Sequence, residues 1–236
     1  MNAYPVNALE AASMSSPQKE PYSQMKDLHN RYIEYSVDFN SPNIAITGTW
    51  NGLIEIDSMI LGNTNALSGH VELFNGNNLL HDETFSISGY LTIINFDKMN
   101  VNKFILHLSG NENISAGLLF FGMKWVLPRF VVAPSKGLAL RNEGGRTFTG
   151  QATGFPVETL RTFSASYQRI PNEEKKKFDD YINGVQTVIP HAIDPYPEAH
   201  DEFEPFFATV ESYGEAEKRE ENGFFWNFEC SWQEAK

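Results

Sequence analysis

From Tyr32 to Val126 the chain is a succession of short apolar runs divided by Asn/Gly punctuation, with connections too short to hold a helix. Tyr32–Phe39 alternates apolar and polar residues, as a half-buried strand does. Ser41-Pro42-Asn43 interrupts it, and Ile44–Trp50 follows, ending at Asn51-Gly52, a strong hairpin-turn pair. Further runs are Leu53–Asp57, Met59–Leu61, His70–Phe74, Thr84–Ile87, Leu91–Phe96, Lys103–Leu108 and Gly117–Val126, the last closed by Pro128. Gly62-Asn63, Asn75-Gly76-Asn77-Asn78 and Gly110-Asn111 lie between them. Roughly nine strands in about 95 residues, with no helical period among them, predict an antiparallel sandwich or jelly roll and exclude parallel βαβ units.

The flanks differ. Residues 1–26 carry Pro5, Pro17, Pro21 and a Ser-rich piece and hold no sustained period. They are expected to be an arm, either a free tail or a segment docking on a neighbouring subunit. After Pro134 comes a polar, Gly-bearing stretch and then an alternating strand, Leu160–Arg169. One helix is predicted next, capped by Asn172, with Glu173 and Glu174 in its first turn. Phe178, Tyr181, Ile182 and Val185 would form its buried face, and Gly184 its end. Thr187–Ile189 reads as a short strand, residues 190–206 as a Pro-rich acidic loop, and Phe206–Ser212 with Phe224–Trp232 as an antiparallel pair. The fold class is thus mainly β: an arm (1–26), a jelly-roll β-sandwich (27–134) and a small α+β domain (135–236).

A 41% apolar content is enough to bury a core. A net charge of −12 argues against binding a nucleic-acid backbone or an anionic membrane surface, and for solubility or a cationic partner. No apolar run has transmembrane length, so no membrane insertion is expected. The single cysteine, Cys230, permits no disulfide within the chain, and the N-terminus lacks a signal-peptide core; folding in a cytoplasm is expected.

Catalytic chemistry finds no foothold. There is no HExxH, no GxSxG and no phosphate-binding loop around Gly144-Gly145-Arg146. No carboxylate pair stands out as a glycosidase pair. His191, Asp194, His200 and Asp201 are the one dense group of potential metal ligands, and in such a loop they read as plain surface. No catalytic residue, metal or cofactor is expected. Trp50, beside the Asn51-Gly52 turn, is the candidate sugar-stacking residue, with Asn63, Asn65, Asn77 and Asn78 in the adjoining loops. Trp125, Trp226 and Trp232 are expected in the core.

Three ordered stretches carry a resemblance. Ile56–Ala66, leading into His70–Phe74 as an edge strand, resembles the early strands of a galactose-binding-like jelly roll of phage structural proteins. Leu119–Pro128 is similar to the segment that closes that domain. Asn142-Glu143-Gly144-Gly145-Arg146-Thr147-Phe148 resembles a Ser/Gly-Gly element of phage tail proteins, with Asn142 where Ser is usual. The strand Arg161–Tyr167, the helix and a terminal Trp232-Gln233-Glu234-Ala235 follow in the same order. The resemblance implies a structural component of a bacteriophage tail: a ring, sheath or adaptor subunit, homo-oligomeric, on the virion, with other tail proteins as partners. The alternative is a carbohydrate-binding module contacting a host-surface glycan; a polysaccharide depolymerase ranks last.

Overall fold

A computed structural model describes residues 1–29, 35–129, 135–146, 152–186, 189–198, 204–214, 217–219 and 225–235. The elements in chain order are β1 (Asn2–Tyr4), β2 (Ala12–Ser15), β3 (Val37–Asp38), β4 (Asn43–Thr64), β5 (Ser68–Asn75), β6 (Asn78–Ser86), β7 (Leu91–Ser109), β8 (Ser115–Gly122) and β9 (Trp125–Val126). Then come β10 (Ser135–Arg146), β11 (Ala152–Pro171), α1 (Asn172–Val185), β12 (His191–Asp194), β13 (Phe206–Tyr213), β14 (Glu217–Arg219) and β15 (Phe225–Glu234). The protein is mainly β and its sheets form an antiparallel β-sandwich. The chain divides into two compact units that interleave in sequence: Asn2–Trp125 with Ala192–Phe206, and Val126–His191 with Phe207–Ala235.

In the first unit the strand order is β3-β8-β4-β7-β5-β6, with β2 also on β4. Strands are fewer and longer than the punctuation predicts. Asn51-Gly52 does not turn the chain: β4 runs through it and pairs with β7 on both sides, from Asn43↔Ser109 to Gly62↔Leu91. Gly52 takes φ +122°, and the register slips between Thr49 and Ile54, so the glycine makes a bulge that bends a continuing strand. Likewise Leu91–Phe96 and Lys103–Leu108 are two parts of β7. Asn75-Gly76-Asn77-Asn78 does form the β5–β6 turn, with Gly76 at φ +61°. Tyr32–Phe39 is described only from residue 35, where β3 pairs with β8. The strand His70–Phe74 lies inside the sheet, between β7 and β6, not at its edge.

Alternation decides which face is core. Ile44, Ile46, Val71, Leu73, Phe104, Leu106 and Leu108 point inward, with Met59, Leu61, Leu119 and Phe121 in the same cluster. Two glycines make room for rings. A Cβ at Gly48 would lie 2.0 Å from Phe104 Cε1, its cross-strand partner, and one at Gly69 would lie 2.3 Å from Phe85 Cζ. Residues 1–26 are not a free arm. Ala3, Tyr4 and Leu9 are buried, β1 pairs with β12, and β2 pairs with β4, all within this chain. The physical reason is that β12, in the stretch expected to be a loop, is buried at all four positions and offers β1 a backbone partner.

In the second unit the order is β10-β11-β15-β13, with β14 on β15. The C-terminal antiparallel pair is present, Ala208 facing Glu234. The helix starts at Asn172 with Pro171 at the cap; the Asn172 carboxamide instead accepts a bond from Trp226 Nε1. It continues past Gly184 because Val185 must complete the buried face, and Gln186 takes the left-handed cap at φ +48°. Phe178 packs on Tyr167, Phe228 and Tyr213, and Tyr181 packs edge-on against Phe178 and His191. Lys175, also buried, bonds Asp179 and lies over the rings of Trp226, Tyr213 and Phe228. Trp232 Nε1 donates to Tyr181 Oη, which sits 2.6 Å from His191 Nε2, while His191 Nδ1 lies 2.9 Å from the Ile189 carbonyl. Trp232 is fully buried, as expected, whereas Trp125 and Trp226 are only half-buried and stand outside the core, Trp226 under the Lys175 ammonium and bonded to Asn172. Arg161 holds the buried Glu234 through its backbone N–H and guanidinium.

Two outcomes follow from this packing. Gly48→Ala drives a methyl into Phe104 and is expected to cost about 1–3 kcal/mol, read from urea unfolding. Burial raises the ionisation of Tyr167, Tyr181 and Cys230 far above their ordinary values. The folded chain then keeps protons that the unfolded chain releases near pH 9–10, so stability is full below that range and falls as pH rises through it. Thermal melts from pH 8 to 11 should show a steep loss above pH 9, with a slope of about 1 kcal/mol per pH unit or more.

Candidate functional site

Two features of the first unit can meet a ligand. The larger is an open cleft of about 550 Å³ lined by Ser86, Ser88, Gly89, Tyr90, Leu91, Thr92, Ile93, Glu204 and Pro205. The β6–β7 connection builds one wall. Gly89 adopts φ +73°, a conformation that favours glycine, and a Cβ there would sit 3.8 Å from Glu204 Oε1. The Thr92 hydroxyl is 3.4 Å from both the N–H and the carbonyl of Ser88, tying the connection to the start of β7. Gly62 lets Leu91 close onto β4, where a Cβ would be 2.4 Å from Leu91 Cδ2. The lining thus combines an aromatic ring, three hydroxyl side chains and one carboxylate, with no Lys or Arg among the described lining residues.

The second feature lies on the solvent face of the same sheet. Alternation puts His70 and Glu72 of β5 on one side, and register sets His107 of β7 opposite His70 and Asp82 of β6 opposite Glu72. His70 Nε2 is 2.6 Å from Asp82 Oδ1, and His107 Nε2 is 3.8 Å from Glu72 Oε2. The two imidazoles stack, with centroids 5.7 Å apart and planes 18° from parallel.

The residues singled out in sequence are placed as follows. Trp50 is 5% exposed, donates from Nε1 to the Ala8 carbonyl and packs on Phe104 and Phe121, so no sugar can stack on it. It reads as surface only if Asn51-Gly52 is a turn; in a continuing strand it alternates inward with Ile44 and Ile46. Asn65 is spent on structure: its amide donates to the Asn113 carbonyl and its oxygen accepts from Ser115 N–H. Asn63 stands at φ +47°, and its N–H bonds the Tyr90 carbonyl at the cleft wall. Asn77 and Asn78 are exposed at the β5–β6 turn, away from the cleft lining. Of the four potential ligands expected to be plain surface, His191 and Asp194 instead lie buried in β12, where the strand pairs with β1, and His200 and Asp201 fall outside the described residues.

Sequence reading missed both features. His70-Val71-Glu72 is legible as two potential ligands on one strand face, but Asp82 and His107 join them only through register. Glu204 reaches the β6–β7 connection across more than a hundred residues of chain.

No known protein family matches the sequence, and no curated protein resembles it. Some solved structures do. SpGH29 matches 48% of this chain at 11% identity and a TM-score of 0.43, and the match spans 27% of the SpGH29 chain. The family 32 carbohydrate-binding module of NanJ from C. perfringens, in complex with galactose, matches 53% of this chain and 100% of its own at 11% identity, TM-score 0.42. A fucose-binding module from Streptococcus pneumoniae matches 50% and 94% at 12% identity, TM-score 0.44. At these values the likeness says nothing of ligand or activity. The comparisons lend no support to a phage tail protein.

The loop role of Asn65 has a measurable consequence. Asn65→Ala should lower stability by about 1 kcal/mol through the two lost hydrogen bonds, read as a shift in the urea midpoint.

Proposed function

We propose that this chain is a non-catalytic carbohydrate-binding protein, and that the cleft at Ser86–Ile93 with Glu204 is where a neutral glycan binds. The observation that supports this reading is the composition of the cleft. A sugar presents an apolar C–H face beside a ring of hydroxyls, and such a ligand asks for an aromatic surface plus convergent hydrogen-bonding groups. Tyr90 supplies the first; Ser86, Ser88, Thr92 and Glu204 supply the second. The Glu204 carboxylate, on a chain of net charge −12, disfavours sialylated or uronic sugars and favours neutral ones.

A second reading, a subunit of a phage tail, draws its support from the order of the motifs at Ile56–Ala66, Leu119–Pro128 and Asn142–Phe148. The two readings are compatible, since a tail component can touch a host glycan.

The test is a glycan array followed by titration calorimetry. Binding to neutral glycans is expected, weakened about tenfold or more by Tyr90→Ala and by Glu204→Gln, and unchanged by Asn77→Ala. Silence across neutral glycans, or wild-type affinity in both cleft variants, defeats the carbohydrate reading. Mass spectrometry of purified virions tests the tail reading separately.

A further inference from the structure

We propose that the solvent face of β5–β6–β7 holds a divalent transition-metal ion of the zinc class, bound by His70, Glu72 and Asp82 with His107 as the neighbouring fourth donor. The proposal is independent of the glycan reading, because none of these residues lines the cleft.

Geometry comes first. One ligand atom from each of His70, Glu72 and Asp82 lies within 4.8 Å of the other two. Donors around a tetrahedral zinc sit about 2.0–2.2 Å from the ion, hence about 3.3–3.6 Å from one another. The closest present separation is 2.6 Å, so one side of the triangle must open and another close by about an ångström. Side-chain rotation supplies that, since the backbone positions are set by cross-strand register. His107 Nε2, 3.8 Å from Glu72 Oε2, borders the same space.

Charge is the second support. Glu72 and Asp82 face each other directly across β5–β6, and like charges in that relation are unfavourable. Their side-chain contacts are with His70 and His107, and among the described residues neither Lys nor Arg pairs with them. The lysine on this face of β7, Lys103, lies over the Phe74 ring, 4.9 Å from its centroid. A divalent cation removes the repulsion. The donor set also selects the ion: imidazole nitrogen with carboxylate oxygen suits zinc and its first-row neighbours, whereas calcium and magnesium prefer oxygen throughout. The other histidine of this hairpin, His81, provides a comparison: among the described residues its one carboxylate contact is Glu83, and its ring lies tilted against Phe96.

The experiment uses the full chain without a histidine tag, stripped with chelator and titrated with ZnCl2 by calorimetry and by thermal melting. One zinc per chain with micromolar affinity and a rise in Tm are expected, with no response to Mg2+ or Ca2+. His70→Gln and Asp82→Asn should each weaken binding at least about tenfold, and His81→Gln should leave it unchanged. Circular dichroism checks that each variant folds, which the exposure of these side chains permits. No zinc response in the wild type, or wild-type affinity in both His70→Gln and Asp82→Asn, overturns the proposal.

Discussion

The pairing of β4 with β7 is the constraint on which the first unit rests. The two strands stay hydrogen-bonded from Asn43↔Ser109 to Gly62↔Leu91, and every other strand of that sheet but β3 and β6 pairs with one of them. Continuous pairing over that length demands curvature if both halves are to share one core. The bulge at Gly52 provides a bend, and Gly48 allows the Phe104 ring to lie flat against the opposite backbone. Trp50 then packs on both Phe104 and Phe121, whose rings also touch each other. A residue beside an apparent turn is thereby the centre of an aromatic cluster.

Both candidate sites are consequences of that sheet. Once the inward positions of β5 and β7 are committed to the core, alternation exports His70, Glu72 and His107 to one outer face. A one-residue slip of β5 would turn His70 and Glu72 toward the core and part them from His107. The cleft arises where β6 hands over to β7, with Gly62 leaving room for Leu91 and Gly89 supplying the positive φ of the connection. The second unit draws on a different device: a helix clamps a sheet through tilted ring contacts, with Tyr181 and His191 joined by a hydrogen bond inside it.

Much of this was readable in the residues. The period-two runs marked the β class, the turn at Gly76-Asn77, the helix face at Phe178, Tyr181 and Val185, and the C-terminal pair. Errors came where one signal has two physical meanings. Asn-Gly serves a hairpin or a bulge, and only the presence of a partner strand on both sides separates them. A proline-rich acidic stretch looks like loop, yet His191–Asp194 becomes a buried strand because β1 needs its backbone groups. Gly184 looks like a helix end, but burial of Val185 outweighs it.

The sequence by itself determined the mainly antiparallel β class, the place of the one helix and a surface of net charge −12. Those properties are local or summed, arising from alternation, capping and composition. Tertiary structure alone decided that Trp50 is core, that residues 1–26 are strands and turns of the fold, that Glu204 and Tyr90 line one cleft, and that His70, Glu72, Asp82 and His107 form one group. Each depends on which distant strand pairs with which and in what register, and no property of a short segment encodes that.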